Sequence, residues 1–184
     1  MILASRSPRR KELLRQCGVE FSVFASDVGE LNSGSGVAVE ALPAANAALK
    51  AAAVSELFPD EPVLGADTMV ICDGRAFGKP ADENESFRML KALSGKSHQV
   101  ITGVALYWKE RHISEVWSET SWVHFKTLTD DTIWQYIRQV NTLDKAGAYA
   151  IQEYGELIIS HVDGEIENVI GLPLANLKQR LQNL

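Results

Sequence analysis

The chain has 184 residues, 46% hydrophobic and 23% charged, enough for a sizeable core beneath an ordinary surface. Its net charge is −6, and a chain without a basic excess is a poor candidate for coating a nucleic acid polymer. Small anions remain possible ligands if the few cations are gathered in one place. Cys17 and Cys72 lie far apart with no C-x-x-C pair, and both sit in apolar stretches that read as reduced core positions. The N-terminus has no basic region ahead of a long apolar run, so no signal peptide is expected. No apolar stretch approaches ~18 residues, so no membrane span is expected and the cytoplasm is the expected location.

Ile2-Leu3-Ala4 reads as a short buried strand. Ser7 is placed to cap a helix whose first residue is Pro8, with Leu13, Leu14 and Cys17 on one face and Gly18 as its stop. Phe21 to Phe24 is a second strand. Residues 31–39, rich in glycine, serine and asparagine, read as a mobile loop, and the alanine-rich 41–57 as a helix. The clearest strand spans Pro62 to Cys72, with Asp73-Gly74 as a hairpin turn. Asp82 with Glu85 forms a capping box for a helix carrying Phe87, Leu90 and Leu93, stopped by Gly95. Gln99 to Trp108 and Ser114 to Phe125 are paired long strands. Thr129 caps a helix with Ile133, Tyr136, Ile137 and Val140. Ala148 to Gly171 reads as two or three strands turning at Asp163-Gly164, and Pro173 begins a last helix. Interleaved strands, hairpins and helices predict a single α/β domain, 1–184, with a mixed sheet flanked by helices.

Five constellations could carry chemistry. In Ser7-Pro8-Arg9-Arg10-Lys11, three cations occupy a first helical turn where acids are preferred. A bound polyphosphate would explain them, because backbone N–H groups and arginine forks both suit phosphate oxygens; a solvated basic turn is the alternative. In Gly65-Ala66-Asp67-Thr68 a carboxylate interrupts an apolar strand, so Asp67 must be paired, metal-bound or in a cleft unless it faces water at an edge. Gly78-Lys79-Pro80 sets a lysine on a stiff turn, suited to a phosphate or simply to solvent, and it is not a Walker loop. In Leu143 to Gln152 the polar residues with reach are Lys145 and Gln152, on a segment otherwise small enough for close backbone packing. Asn168 to Pro173 is another tight strand-to-helix turn. His98, His112, His124 and His161 show neither H-x-x-x-H nor H-E-x-x-H spacing, which argues against a histidine zinc motif.

Together these segments resemble the Maf family of Maf-like proteins, also called septum-formation inhibitors. The resemblance runs from Ile2 to Pro173. It rests on Ser5-Arg6-Ser7-Pro8-Arg9-Arg10-Lys11-Glu12-Leu13-Leu14, Gly65-Ala66-Asp67-Thr68, Gly78-Lys79-Pro80, Leu93-Ser94-Gly95, Asp144-Lys145-Ala146-Gly147-Ala148-Tyr149 and Asn168-Val169-Ile170-Gly171-Leu172-Pro173, in the family's order. It implies a nucleoside triphosphate pyrophosphatase on the fold of inosine triphosphatases, two α/β lobes around a cleft. The Ser-Pro-Arg-Arg and Asp-Lys-Ala-Gly-Ala-Tyr forms are similar to the branch acting on dTTP and UTP rather than on 7-methyl-GTP.

By this resemblance Asp67 is the proton acceptor, and Arg9, Thr68 and Gln152 set specificity. Glu30 helps Asp67 hold a divalent cation, Mg²⁺ or Mn²⁺, which suits hard oxygen ligands. Arg9, Arg10, Lys50 and Lys79 would offset charge on the leaving pyrophosphate, with Ser7 and Lys145 as further substrate-binding positions. Two departures stand out. Glu153 follows Gln152 where glycine is usual, and Ala44-Ala45-Asn46-Ala47 lacks an expected arginine ahead of Lys50. The competing expectations are a non-catalytic nucleotide sensor in cell division, which would not need Asp67, and a purine-type house-cleaning pyrophosphatase. Exposed strand edges favour a homodimer.

Overall fold

The computed structural model describes every residue except Asn183. In chain order its elements are β1 (Ile2–Leu3), α1 (Pro8–Arg15), β2 (Ser22–Val23), α2 (Leu42–Ser55), β3 (Val63–Cys72), β4 (Arg75–Phe77), α3 (Glu83–Leu93), β5 (Ser97–Trp108), β6 (Ile113–Phe125), α4 (Asp130–Gln139), α5 (Gly155–Ile158), β7 (Ile159–Asp163), α6 (Ile166–Ile170) and α7 (Leu174–Leu181). The strands form one mixed sheet in the order β2-β1-β3-β5-β6-β7, with β4 on β3. β1 runs parallel to both β2 and β3, whereas β3–β4 and β6–β7 are antiparallel. The α/β class with a mixed sheet and flanking helices is therefore as the sequence predicts. Among the described residues no helix is long and apolar enough to cross a membrane.

The chain divides into two units, and β3, β5 and β6 each contribute residues to both. The first unit comprises Met1–Thr68, Thr102–Glu119 and Gly171–Leu184. Its core joins Ile2, Ala4, Val63 and Ala105 of the sheet region to Ala47, Ala51 and Val54 of α2. The alanine stripe of α2 has a partner stripe of glycine. A Cβ on Gly65 would lie 2.3 Å from the Ala47 carbonyl oxygen, and one on Gly103 2.2 Å from the Pro43 carbonyl carbon and the Ala44 nitrogen. The helix backbone thus rests on the strands with no side chain between.

The second unit comprises Met69–Ile101 and Thr120–Ile170. Leu90 and Leu93 of α3 and Ile133, Tyr136 and Ile137 of α4 form its core with Val70, Val100, Val123 and Phe125, and Phe87 stacks on Trp134 at 4.9 Å between centroids. Asp73 and Gly74 both have positive φ, as a tight two-residue hairpin demands. Asp82 caps α3 by accepting the Glu85 N–H at 2.7 Å, and the Glu85 carboxylate accepts the Ala81 N–H at 2.6 Å. The returning bond thus lands one residue before the cap. Within this core His98, Phe125 and Tyr149 meet edge to face, with His98 Nε2 2.8 Å from the Tyr149 hydroxyl.

Several boundaries differ from the sequence-based expectation. The stretch from Ala148 to Gly171 holds one strand, β7, between the short helices α5 and α6. Tyr154 adopts a left-handed conformation (φ 52°), which breaks the extended path just before Gly155. Pro173 caps α7 from outside rather than opening it. Residues 39–41 form a 3₁₀ turn ahead of α2, and the preceding segment is a series of turns and bends. Cys72 is buried and Cys17 half-buried, both as free thiols.

Two outcomes follow from this packing. Gly103→Ala should cost at least the ~1–3 kcal/mol typical of overpacking, because the added methyl meets helix backbone and not a movable side chain. Denaturant unfolding of the variant checks this, and an unchanged midpoint would contradict the close approach. His98 is held neutral: burial, with a smaller push from His124, lowers its pKa from 6.5 to about 4. A depressed folded pKa means stability is complete above pH 6.5 and falls as pH drops toward 4. The loss approaches ~3 kcal/mol at ~1.4 kcal/mol per pH unit. His98→Gln should flatten that part of the stability–pH curve, as unfolding titrations of both proteins from pH 4 to 7 would reveal.

Candidate active site

The site in the first unit is built on the two-residue alternation of β3. Gly65 and Asp67 share one strand face, and Thr68 points to the other. Because α2 sits on the Gly65 face, its residues one step from the alanine stripe reach Asp67. These are Asn46 and Lys50, one helical turn apart. Lys50 Nζ donates to Asp67 Oδ1 at 2.8 Å and Asn46 Nδ2 donates to Oδ2 at 3.1 Å. Asp67 is only 7% exposed, so its charge is compensated within the protein and not by bulk water.

Lys50 is shared between two acids. Its ammonium also lies 2.6 Å from Glu30 Oε1, on the largely exposed Glu30 side chain. Asn46 does the same for the backbone around Glu30. Its Oδ1 accepts the Leu31 N–H at 2.7 Å, and its Nδ2 donates to the Leu31 carbonyl at 3.2 Å. One buried amide thus fastens the Glu30–Leu31 segment to the strand that carries Asp67.

On the opposite face of β3, Thr68 Oγ1 accepts from Arg10 and lies 2.9 Å from Thr102 Oγ1. Arg10 reaches it from the first turn of α1. Its Nε donates to the Gly171 carbonyl at 2.9 Å, Nη1 to Ser5 Oγ at 3.2 Å and Nη2 to Thr68 Oγ1 at 2.9 Å. Ser7 caps α1 as the sequence predicts, with its hydroxyl accepting the Arg10 N–H at 3.4 Å. Gly171 has φ 131°, a conformation that other residues rarely adopt, so the glycine lets this turn close beside Thr68 and Arg10. Burial lowers the Arg10 pKa; Asp67 opposes that effect, Arg9 adds to it, and Glu30 opposes it. Arg10 therefore lies in the electrostatic reach of both acids.

The structure thus brings Ser7, Arg9, Arg10, Glu30, Lys50, Asp67 and Thr68 into one unit. Asn46, taken from the sequence only as a missing arginine, belongs with them. A signal was present: Asn46 and Lys50 are the only polar residues between Leu42 and Val54, spaced one turn apart on an alanine helix. Lys79, Lys145 and Gln152 belong to the second unit. Lys79 is exposed on the turn after β4. Lys145 is buried, and its ammonium meets the Asn141 carbonyl at 2.7 Å, Asp144 Oδ1 at 2.8 Å and Glu153 Oε1 at 3.1 Å. Glu153 is therefore engaged by Lys145, while its neighbour Gln152 is exposed on a turn.

A buried carboxylate clamped by lysine and amide, beside a basic helix start, is thus the polar centre of the first unit. The chain belongs to the Maf family: the family model described as Maf-like protein matches residues 1–184. Similar proteins include the dTTP/UTP pyrophosphatase of Akkermansia muciniphila, 44% identical over all of this chain and 96% of that protein. The dTTP/UTP pyrophosphatase of Geobacter metallireducens is 43% identical over all of this chain and 95% of its own length. That of Bacillus cytotoxicus is 45% identical over 98% of this chain and 93% of its own.

The Asn46 clamp makes a stability claim. Asn46→Ala should destabilise the protein by about 1–3 kcal/mol, because the Leu31 N–H loses its acceptor and Asp67 a donor. Asn46→Asp should cost more at neutral pH, since it sets a second carboxylate against Asp67, and should recover in acid. Chemical denaturation at pH 7 and pH 4.5 separates these cases; equal stability of all three proteins at pH 7 would refute the clamp.

Proposed function

We propose that this protein hydrolyses dTTP and UTP to the monophosphate and pyrophosphate, with Asp67 as the group that receives the proton of the attacking water. The water oxygen bonds to the α-phosphorus, the bond from that phosphorus to the α–β bridging oxygen breaks, and pyrophosphate leaves along the line of attack. The observation that carries this reading is Asp67: a carboxylate buried on a strand, oriented from two sides by Lys50 and Asn46. Each of its oxygens accepts one of these bonds and keeps a further acceptor direction for a water. A nucleotide sensor would not need such a group, which favours hydrolysis over binding alone.

A divalent cation, Mg²⁺ or Mn²⁺, fits the same acids. Asp67 Oδ1 and Glu30 Oε1 already converge on one positive centre, the Lys50 ammonium, at 2.8 and 2.6 Å, and both are hard oxygen donors. Bound by Asp67 and Glu30, the cation would polarise phosphate oxygens and offset their charge. Lys50 holds the two carboxylates apart in charge. Arg9 and the N-terminal turn of α1, whose backbone N–H groups carry the positive end of the helix dipole, suit the triphosphate. Arg10 fixes Thr68 beside Asp67. Lys79 supplies a further cation, Lys145 is taken up by Asp144 and Glu153, and Gln152 reads the base. Its amide offers a donor and an acceptor to match the carbonyl and N–H edge of uracil or thymine. The Lys145–Glu153 ion pair supports this assignment, because it engages the carboxylate that would otherwise favour an amino-bearing base.

Pyrophosphate release from dTTP, UTP, CTP and GTP, measured with Mg²⁺ or Mn²⁺ and with chelator, tests the reading. Asp67→Asn should keep its fold and lose roughly 10²–10⁴-fold in turnover, the range of a general base. Turnover within threefold of wild type would remove Asp67 from the role. The wild type should prefer dTTP and UTP over CTP by about 5- to 150-fold in kcat/KM, the equivalent of one amide covered by the bound base and left unpaired at ~1–3 kcal/mol, and Gln152→Ala should flatten that preference. A wild-type preference for CTP or GTP would overturn the base assignment, and full activity in chelator would overturn the role of the cation.

A further inference from the structure

The edge of the second unit carries a cluster unrelated to the Asp67 constellation. β6 and β7 pair antiparallel, with His124 directly opposite His161. Directly opposed residues share a face of the sheet, and so do His161 and Asp163, two residues apart on one strand. Register alone therefore gathers two imidazoles and a carboxylate on one face, although their spacing in the chain matches no zinc motif. Linear motifs detect ligands on one element and are blind to cross-strand partners.

The side chains complete the cluster. His124 Nε2 lies 3.0 Å from Asp163 Oδ2, and the two imidazole rings stack at 4.0 Å between centroids and 5° between planes. One donor atom from each of His124, His161 and Asp163 falls within a single 4.8 Å span. Ser97, on β5, lies with its Oγ 2.6 Å from His124 Nδ1. Metal-binding histidines characteristically use their second ring nitrogen in this way, donating to an outer partner that fixes the ring and its tautomer. His124 is half-buried, whereas His161 and Asp163 are open to solvent, so an ion has access.

We propose that His124, His161 and Asp163 form a binding site for a transition-metal ion of the zinc, nickel or copper type. Two nitrogens and one carboxylate oxygen suit those ions and not Mg²⁺, which prefers oxygen ligands and water. Three protein ligands leave a fourth tetrahedral position for water. The bound ion clips β7 to β6, with His124 as the anchored ligand and His161 and Asp163 as the two that close on it by side-chain rotation. The site uses no residue assigned to nucleotide hydrolysis, so it can fail while that reading stands.

The test is calorimetric titration of the full chain with Zn²⁺ in excess Mg²⁺, repeated with Co²⁺ to follow its visible absorption. The wild type should bind one equivalent with a rise in Tm, and the Co²⁺ spectrum should show the intense bands of a low-coordinate nitrogen–oxygen site. His161→Asn and Asp163→Asn should each weaken binding at least about tenfold, and Ser97→Ala by roughly 10- to 100-fold, the usual effect of removing an outer-shell partner. All three variants should retain their circular dichroism and their Mg²⁺-supported hydrolysis of dTTP. No stoichiometric Zn²⁺ binding by the wild type, or binding undiminished in His161→Asn, would overturn the proposal.

Discussion

The contact on which the site depends is that of a helix backbone against a strand backbone. Gly65 and Gly103 present no side chain to α2, and a methyl group at either would sit about 2.2–2.3 Å from backbone atoms of the helix. At that separation the helix meets the sheet through alanines, and only short reaches are needed from its neighbouring positions. Asn46, with a short side chain, touches Asp67 directly, and Lys50 does so while still meeting Glu30. A helix held off by ordinary core side chains would leave Asn46 too short for Asp67. The alanine-rich composition of α2 and the glycines of β3 and β5 are therefore two halves of one device. The small residues are there to deliver polar ones.

The alternation of β3 then separates two kinds of work. The face that looks at α2 carries the acid and its orienting partners. The other face carries Thr68, joined to Thr102 and Arg10, and through Arg10 to Ser5 and the Gly171 carbonyl. Consecutive residues of one strand thus receive support from α2 on one side and from α1 and the turn before α7 on the other. Displacing either support moves the other through a single peptide bond, which explains why segments far apart in the chain make up one constellation.

Much of this was legible in the sequence, and the reasons are local. Ser7-Pro8 marks a helix start through capping and fixed φ, Asp73-Gly74 marks a two-residue turn, and an aspartate inside an apolar strand demands compensation. The stretch from Ala148 to Gly171 reads as strand because Ile151, Leu157, Ile158, Ile159 and Val162 form short apolar runs that suit a strand or one helical turn equally well. A left-handed Tyr154 decides between them, and tyrosine advertises no such conformation. Asn46 escaped for a different reason. Periodicity marks Asn46 and Lys50 as the polar pair of α2, but the partners of Asn46, Leu31 and Asp67, are brought to it by tertiary packing, and no periodicity names them. The His124–His161 pairing was hidden likewise, since strand register is set by the core face and not by the histidines.

The charge balance of the first unit explains why a cation belongs in the proposed chemistry. Asp67 and Glu30 share Lys50, and Arg10, partly desolvated, lies within the field of both. Arg9 is close enough to depress the Arg10 pKa. Two carboxylates against Lys50, Arg10 and Arg9 leave a positive excess of one, so the charge of two of these three cations is already matched before substrate arrives. The Arg10 N–H groups that point at Gly171, Ser5 and Thr68 are spent on architecture, which makes Arg10 a positioning residue for Thr68. A triphosphate approaching this site meets Asp67 and Glu30 as repulsive neighbours unless their charge is answered further. Lys50 answers it once, between the two acids, where a divalent cation would find the oxygen ligands of Asp67 on β3 and of Glu30 on the segment that Asn46 ties down. In the proposed chemistry the carboxylates that repel the substrate in isolation would become the reason it can be held, because they would recruit the charge that the protein, at −6 overall, does not supply in bulk.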